Sequence, residues 1–139
     1  MYRNKIEFHA HFVWSTRDRQ PRLSDDVKRS IYRLSEAESR KLGCRVHAVG
    51  GMDDHVHLAV EMPATLWPAK LMHQVKGTTS HFLNQRWPAI RSFQWQEGYG
   101  MFTYCDDNLP KVVRCIQNQA MHHSENRLWD SLETDREMI

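Results

Sequence analysis

The sequence predicts one α+β domain spanning residues 1–139: an antiparallel sheet with helices on one face and a further helix near the C-terminal end. Three observations carry this. Ile6, Phe8, Ala10, Phe12 and Trp14 alternate with Glu7, His9 and His11, the period of a half-buried strand. Two short apolar runs flank Gly50-Gly51-Met52-Asp53-Asp54, the signature of a hairpin. Between and after them lie segments whose apolar residues recur every three or four positions.

Taken in order, Ile6 to Trp14 is the first strand and the polar, proline-bearing stretch from Ser15 to Leu23 is a loop. Ser24-Asp25-Asp26 supplies an N-cap and first-turn acids for a helix to about Lys41. Its expected inward face is Val27, Ile31, Leu34 and Ala37, and Gly43 is its left-handed stop. Cys44 to Val49 and His55 to Met62 form the hairpin, which Pro63 ends. A second helix is expected from about Thr65 to Arg86, burying Leu71, Val75, Thr79 and Phe82, with Trp87-Pro88 closing it. Phe93 to Cys105 holds the fourth strand. Asp107-Asn108 then caps a helix that starts at Leu109-Pro110 and runs to about Asn126. The order βαββαβα is that of a ferredoxin-like arrangement.

Composition narrows the class. Hydrophobic content of 40% and charged content of 26% are those of an ordinary globular protein. No apolar run approaches the roughly 20 residues of a membrane span, and the first residues lack the apolar core of a secretory signal, so the expectation is a cytoplasmic protein without a membrane partner. Cys44, Cys105 and Cys115 make no CxxC pair and are odd in number, which points to reduced thiols. A net charge of +2 is too mild to announce nucleic-acid binding. The middle of the chain is locally basic, with Lys70, Lys76, Arg86 and Arg91 and no acid between Glu61 and Glu97. Arg86-Trp87 and Arg91-Ser92-Phe93-Gln94-Trp95 set aromatics beside cations. They suit either the stacking of unpaired bases or ordinary core packing beneath solvated arginines.

The third strand carries the chemistry. His55, His57, Ala59 and Glu61 share one face, and Val56, Leu58 and Val60 the other. The apolar set must meet the helices, so the imidazoles project from the opposite side, where an i, i+2 pair can share a divalent metal. His9 and His11 have the same spacing on the first strand and also leave the helix-packed side. Spacing does not choose between the pairs.

A resemblance does. Asp53-Asp54-His55-Val56-His57-Leu58-Ala59-Val60 resembles the histidine–hydrophobe–histidine strand of the HUH single-tyrosine transposases of the smallest bacterial insertion sequences, the IS200-like transposases, with their REP-associated relatives. His11-Phe12-Val13-Trp14-Ser15-Thr16, Arg19-Gln20-Pro21, Val75-Lys76-Gly77-Thr78-Thr79-Ser80, Trp95-Gln96-Glu97-Gly98-Tyr99-Gly100 and Ile116-Gln117-Asn118-Gln119 resemble further segments of that family, in order. The likeness spans roughly His9 to Asn126.

The resemblance implies a dimer that cuts and rejoins single-stranded DNA at hairpin-marked element ends. It implies Mg²⁺ or Mn²⁺ held by His55, His57 and Gln119, with the last helix as the active-site helix, contributed in cis or in trans. The family's nucleophile, a tyrosine one helical turn before the glutamine, falls on Cys115 here, and this helix has no tyrosine. Three readings of Cys115 follow: a degenerate copy that binds without cutting, a thiolate nucleophile, or a sporadic or engineered change. Lys76, Arg86 and Arg91 are the candidate DNA contacts. Two readings stand beside the transposase: a non-catalytic DNA-binding descendant, and a ferredoxin-like RNA-binding or metal-hydrolase domain.

Overall fold

The computed structural model describes residues 4–87 and 92–119. Its elements are β1 (His9–Ser15), α1 (Asp25–Lys41), β2 (Arg45–Gly51), β3 (His55–Glu61), α2 (Pro68–Arg86), β4 (Gly100–Tyr104) and α3 (Leu109–Gln117). The strands form one four-stranded sheet in the order β2-β3-β1-β4, every neighbouring pair antiparallel. The α+β architecture expected from the pattern is the one observed.

β1 is shorter than its alternation suggested. It starts at His9, which pairs with Glu61 and Tyr104, because neither neighbour extends further to meet it. The Met62 amide still donates to the Phe8 carbonyl at 2.7 Å, but Pro63 follows and Ile6 is left exposed. α2 likewise begins at Pro68, not Thr65, since proline's fixed φ and missing N–H suit a first helical position.

The apolar side of the sheet, with Ala10, Phe12, Trp14, Val56, Leu58 and Val60, is covered by α1 and α2. α1 is capped as expected, the Val27 amide donating to Ser24 Oγ, and Gly43 takes φ 90° at its end. Its buried stripe differs from the expected one. Val27 and Ile31 are buried, but Leu34 and Ala37 are only half-buried, while Ser35, Glu38 and Ser39 face inward. The reason is polar: Gln74 and Thr78 of α2 donate to Glu38 Oε1, and Lys41 donates to Oε2 at 2.8 Å. On α2 the buried set is Leu71, Met72, Val75, Thr79 and Leu83, with Phe82 half-buried.

The opposite side of the sheet is covered by α3, which lies across β2 and β3 of its own chain. Val112 and Ile116 pack on Ala48 and Ala59. This close approach depends on Gly50, where a Cβ would stand 2.6 Å from the Ile116 carbonyl oxygen. Gly50 pairs with His57, so the helix is lowered onto the sheet beside that histidine.

Candidate metal centre and active-site helix

The antiparallel register places His9, His11, Val13 and Ser15 of β1 opposite Glu61, Ala59, His57 and His55 of β3. Residues directly opposite point to the same side. Both i, i+2 histidine pairs therefore lie on the α3 face.

His55 and His57 are 1% exposed, with ring centroids 5.1 Å apart. Each ring is oriented through Nδ1. His55 Nδ1 lies 2.7 Å from Asp54 Oδ1, and His57 Nδ1 lies 2.8 Å from His11 Nε2. With Nδ1 taken, Nε2 is the nitrogen that would coordinate a metal, and a carboxylate behind the imidazole raises its basicity. The charge behind His55 is itself held in place: Arg19 Nε lies 3.4 Å from Asp54 Oδ2. Burial works to raise the Asp54 pKa, but the hydrogen bond and charge of His55, with Arg19, outweigh it and hold the carboxyl below its ordinary value. The loop that delivers Arg19 is tight, with Asp18 and Arg19 both in the left-handed region (φ 56° and 54°). It is tied to the β2–β3 turn by Thr16 and Leu23 amides donating to the Asp54 and Asp53 carbonyls. Strained backbone of this kind persists where the surroundings fix it.

Gln119 is 5% exposed. It follows α3, which runs to Gln117 with Asn118 as its cap (φ −110°, ψ 35°); the expected helix end near Asn126 lies outside the described residues. Residues beyond 119 lie outside the described residues. Cys115 is buried on α3 beside Val112 and Ile116.

The tyrosines are elsewhere. Tyr99 packs against Phe12 on the α1/α2 side, with ring centroids 6.0 Å apart. Tyr104 is paired with His9 at the far end of β1, and burial pushes its hydroxyl up to about 12. Tyr32 belongs to α1, and Tyr2 lies outside the described residues. Neither Tyr99 nor Tyr104 is placed to stand in for the residue at 115.

The candidate DNA contacts are in the other layer. Lys76 Nζ donates to the Gln96 and Gly98 carbonyls, both at 2.8 Å, so its ammonium fastens the segment before β4. Arg86 is exposed and lies over the Trp87 ring, 5.5 Å from its centroid. Trp95 packs edge-on against Trp14 and Phe93 and donates to Thr79 Oγ1, which makes it a core residue. Arg91 lies outside the described residues.

A second cluster was not foreseen. The register shifts between Val46 and Ala48, a bulge that leaves His47 opposite no residue of β3 and on the α3 face beside Ala48. Its Nε2 lies 3.2 Å from His9 Nδ1, and His9, His47 and Glu61 present ligand atoms within 4.8 Å of one another. Burial and the neighbouring His9 hold the His47 pKa below its ordinary value, favouring the neutral imidazole. The signal in the sequence was there, in Glu61 on the histidine face and a histidine in the paired strand.

The family pattern described as "Transposase IS200 like" matches residues 4–119, and the chain belongs to that family. Among solved structures it is similar to a protein assigned as a transposase from Deinococcus radiodurans R1, with 19% identity, 86% of this chain and 98% of that chain covered, and a TM-score of 0.69. It is also similar to a REP-associated tyrosine transposase bound to a REP hairpin, with 15% identity, 88% and 73% covered, and a TM-score of 0.66. No curated protein matches the chain. Among the described residues no helix is long and apolar enough to cross a membrane.

Proposed function

We propose that this chain binds hairpin-bearing single-stranded DNA at mobile-element ends, as a cytoplasmic homodimer, and that it has lost tyrosine-mediated strand cleavage. The observation that carries the reading is a division within one site. The histidine pair keeps its orienting partners, Asp54 with Arg19 on one ring and His11 on the other, while α3 offers a buried Cys115 and no tyrosine. His55, His57 and Gln119 are the ligands that the family likeness assigns to Mg²⁺ or Mn²⁺, with water and phosphate oxygens to complete the shell such ions require. When bound, the ion would polarise a scissile phosphate and offset its developing charge. Lys76, Arg86 and Arg91 are assigned to the DNA: Arg86 and Arg91 to phosphate contact, and Lys76 to holding the loop that borders the strand's path. The sheet's outer strands, β2 and β4, supply edges for a second copy, and sedimentation at micromolar concentration is expected to give about twice 16.5 kDa.

Cleavage is tested with a hairpin oligonucleotide and Mg²⁺. Wild type is expected to shift the DNA on a native gel without forming a covalent adduct, and Cys115→Tyr is expected to form one. A wild-type adduct abolished by Cys115→Ser would make the thiolate the nucleophile and overturn the loss of cleavage. Binding to duplex or RNA in preference to the hairpin would overturn the substrate.

A further inference from the structure

We infer that His9, His47 and Glu61 form a second metal site, selective for a borderline transition ion of the Zn²⁺ type and separate from the His55/His57 centre. His55 and Glu61 are six residue steps apart on β3, about 20 Å at the rise of an antiparallel strand, so no single ion serves both ends of this face.

The local geometry is that of a ligand set. Tetrahedral Zn²⁺ with Zn–N distances of about 2.0–2.1 Å holds its nitrogens about 3.3 Å apart. His9 Nδ1 and His47 Nε2 are 3.2 Å apart. The carboxylate of Glu61 comes from the residue directly opposite His9, completing a two-histidine, one-carboxylate set with room for water or substrate in a fourth position. The other nitrogen of His9, Nε2, is buried 3.4 Å from Asp106 Oδ1, an ion-pair distance from a carboxylate at the rim, while Nδ1 is the nitrogen that faces His47. The ring is stacked on Tyr104, with centroids 5.3 Å apart, and is 3% exposed. His47 and Glu61 are half-buried, which gives an ion a way in from solvent.

The register is consistent with this: Val46 is opposite Val60 and Ala48 opposite Ala59, so His47 is opposite no residue of β3 and shares the α3 face with Ala48, where it meets His9. Two imidazoles and a carboxylate favour Zn²⁺ or Co²⁺ over Mg²⁺, which prefers an oxygen shell.

The test is titration of chelator-stripped full-length protein with Co²⁺, read by visible d–d absorption and by stoichiometry. His47→Ala and Glu61→Gln are each expected to remove one bound equivalent with its absorption, and His55→Ala to leave that equivalent in place. Asp106→Asn changes an exposed turn residue behind His9 and is expected to weaken the site about tenfold, with far-UV circular dichroism unchanged. Circular dichroism of stripped His47→Ala and Glu61→Gln establishes that they fold without metal; should either fail, Asp106→Asn alone decides. Equal Co²⁺ uptake by wild type and these variants would overturn the inference, as would loss of all uptake in His55→Ala. One equivalent that survives His55→Ala and is lost in His47→Ala would uphold this site while removing the His55/His57 assignment.

Discussion

On the face covered by α1 and α2, the buried carboxylate of Glu38 is answered completely within the chain, by Lys41, Gln74 and Thr78. On the face covered by α3, five imidazoles are gathered instead; hydrogen bonds join His9 to His47, His11 to His57 and His55 to Asp54, and Asp106 lies within ion-pair distance of His9. Burying polar groups is costly on either face unless they are partnered. The first arrangement is closed and holds two helices together. The second is organised around ring orientation, which is what metal coordination requires. One sheet thus separates the face closed by two helices from the face proposed to hold metal, and the separation can be attacked from either side.

The largest effect is expected from the closed side. Leu71 is fully buried in the core under α2. Leu71→Ala is expected to cost about 2–5 kcal/mol in urea unfolding, from lost transfer free energy and the cavity left behind. Co²⁺ uptake by the protein still folded should be unchanged. A parallel fall in metal affinity under folded conditions would show that the two faces are mechanically coupled.

A smaller effect is expected from the seam between α3 and the sheet. Gly50→Val would drive a side chain into the Ile116 carbonyl, which is backbone and has little freedom to yield. Overpacking of this kind costs about 1–3 kcal/mol. On the proposed assignment of Gln119 to the His55/His57 ion, lifting α3 displaces that ligand, and Mn²⁺ affinity should fall about tenfold. Amide exchange in α3 should rise while exchange in β1 and β3 stays slow. Unchanged Mn²⁺ affinity with exchange raised in α3 would remove Gln119 from the ligand set.

The contrast between the faces also explains what could be read in advance. The strand alternation in β1 and β3 was legible because its period is fixed by the pleat, and it put both histidine pairs on the side away from α1 and α2. The choice of His55 and His57 over His9 and His11 was not, since spacing is identical and only the family likeness separates them. The α1 stripe was misread at Leu34 and Ala37 because Glu38 is buried by hydrogen bonds from Gln74 and Thr78 of α2, of which helical periodicity carries no trace. His47 was missed although alternation with Val46 puts it on the histidine face; what nothing in Arg45-Val46-His47-Ala48 marks is the bulge that sets His47 and Ala48 on that same face. The nucleophile, by contrast, is a statement about identity at one position. Cys115 was visible from the start, and the structure adds that Tyr99 and Tyr104 are too differently placed to replace it.

The smallest effect tests whether Glu38 is as fully answered as its contacts imply. The hydrogen bond from Lys41, then that from Gln74, lower its pKa from the ordinary 4.5, against the opposing pull of burial. A carboxyl depressed in the folded state contributes stability that is complete above its unfolded value and is lost as the pH falls through the folded value. Glu38→Gln keeps the shape and removes the charge, and should cost about 1 kcal/mol near neutral pH, the scale of a charge-assisted hydrogen bond with one exposed partner. Urea midpoints of wild type and variant should therefore separate near neutrality and converge once the pH is below the wild-type folded pKa. Because no histidine of the α3 face takes part, Co²⁺ uptake near neutral pH should be the same in both proteins. If the midpoints differ by the same amount at acid and neutral pH, the Glu38 charge contributes nothing, and α1 and α2 are held by packing alone.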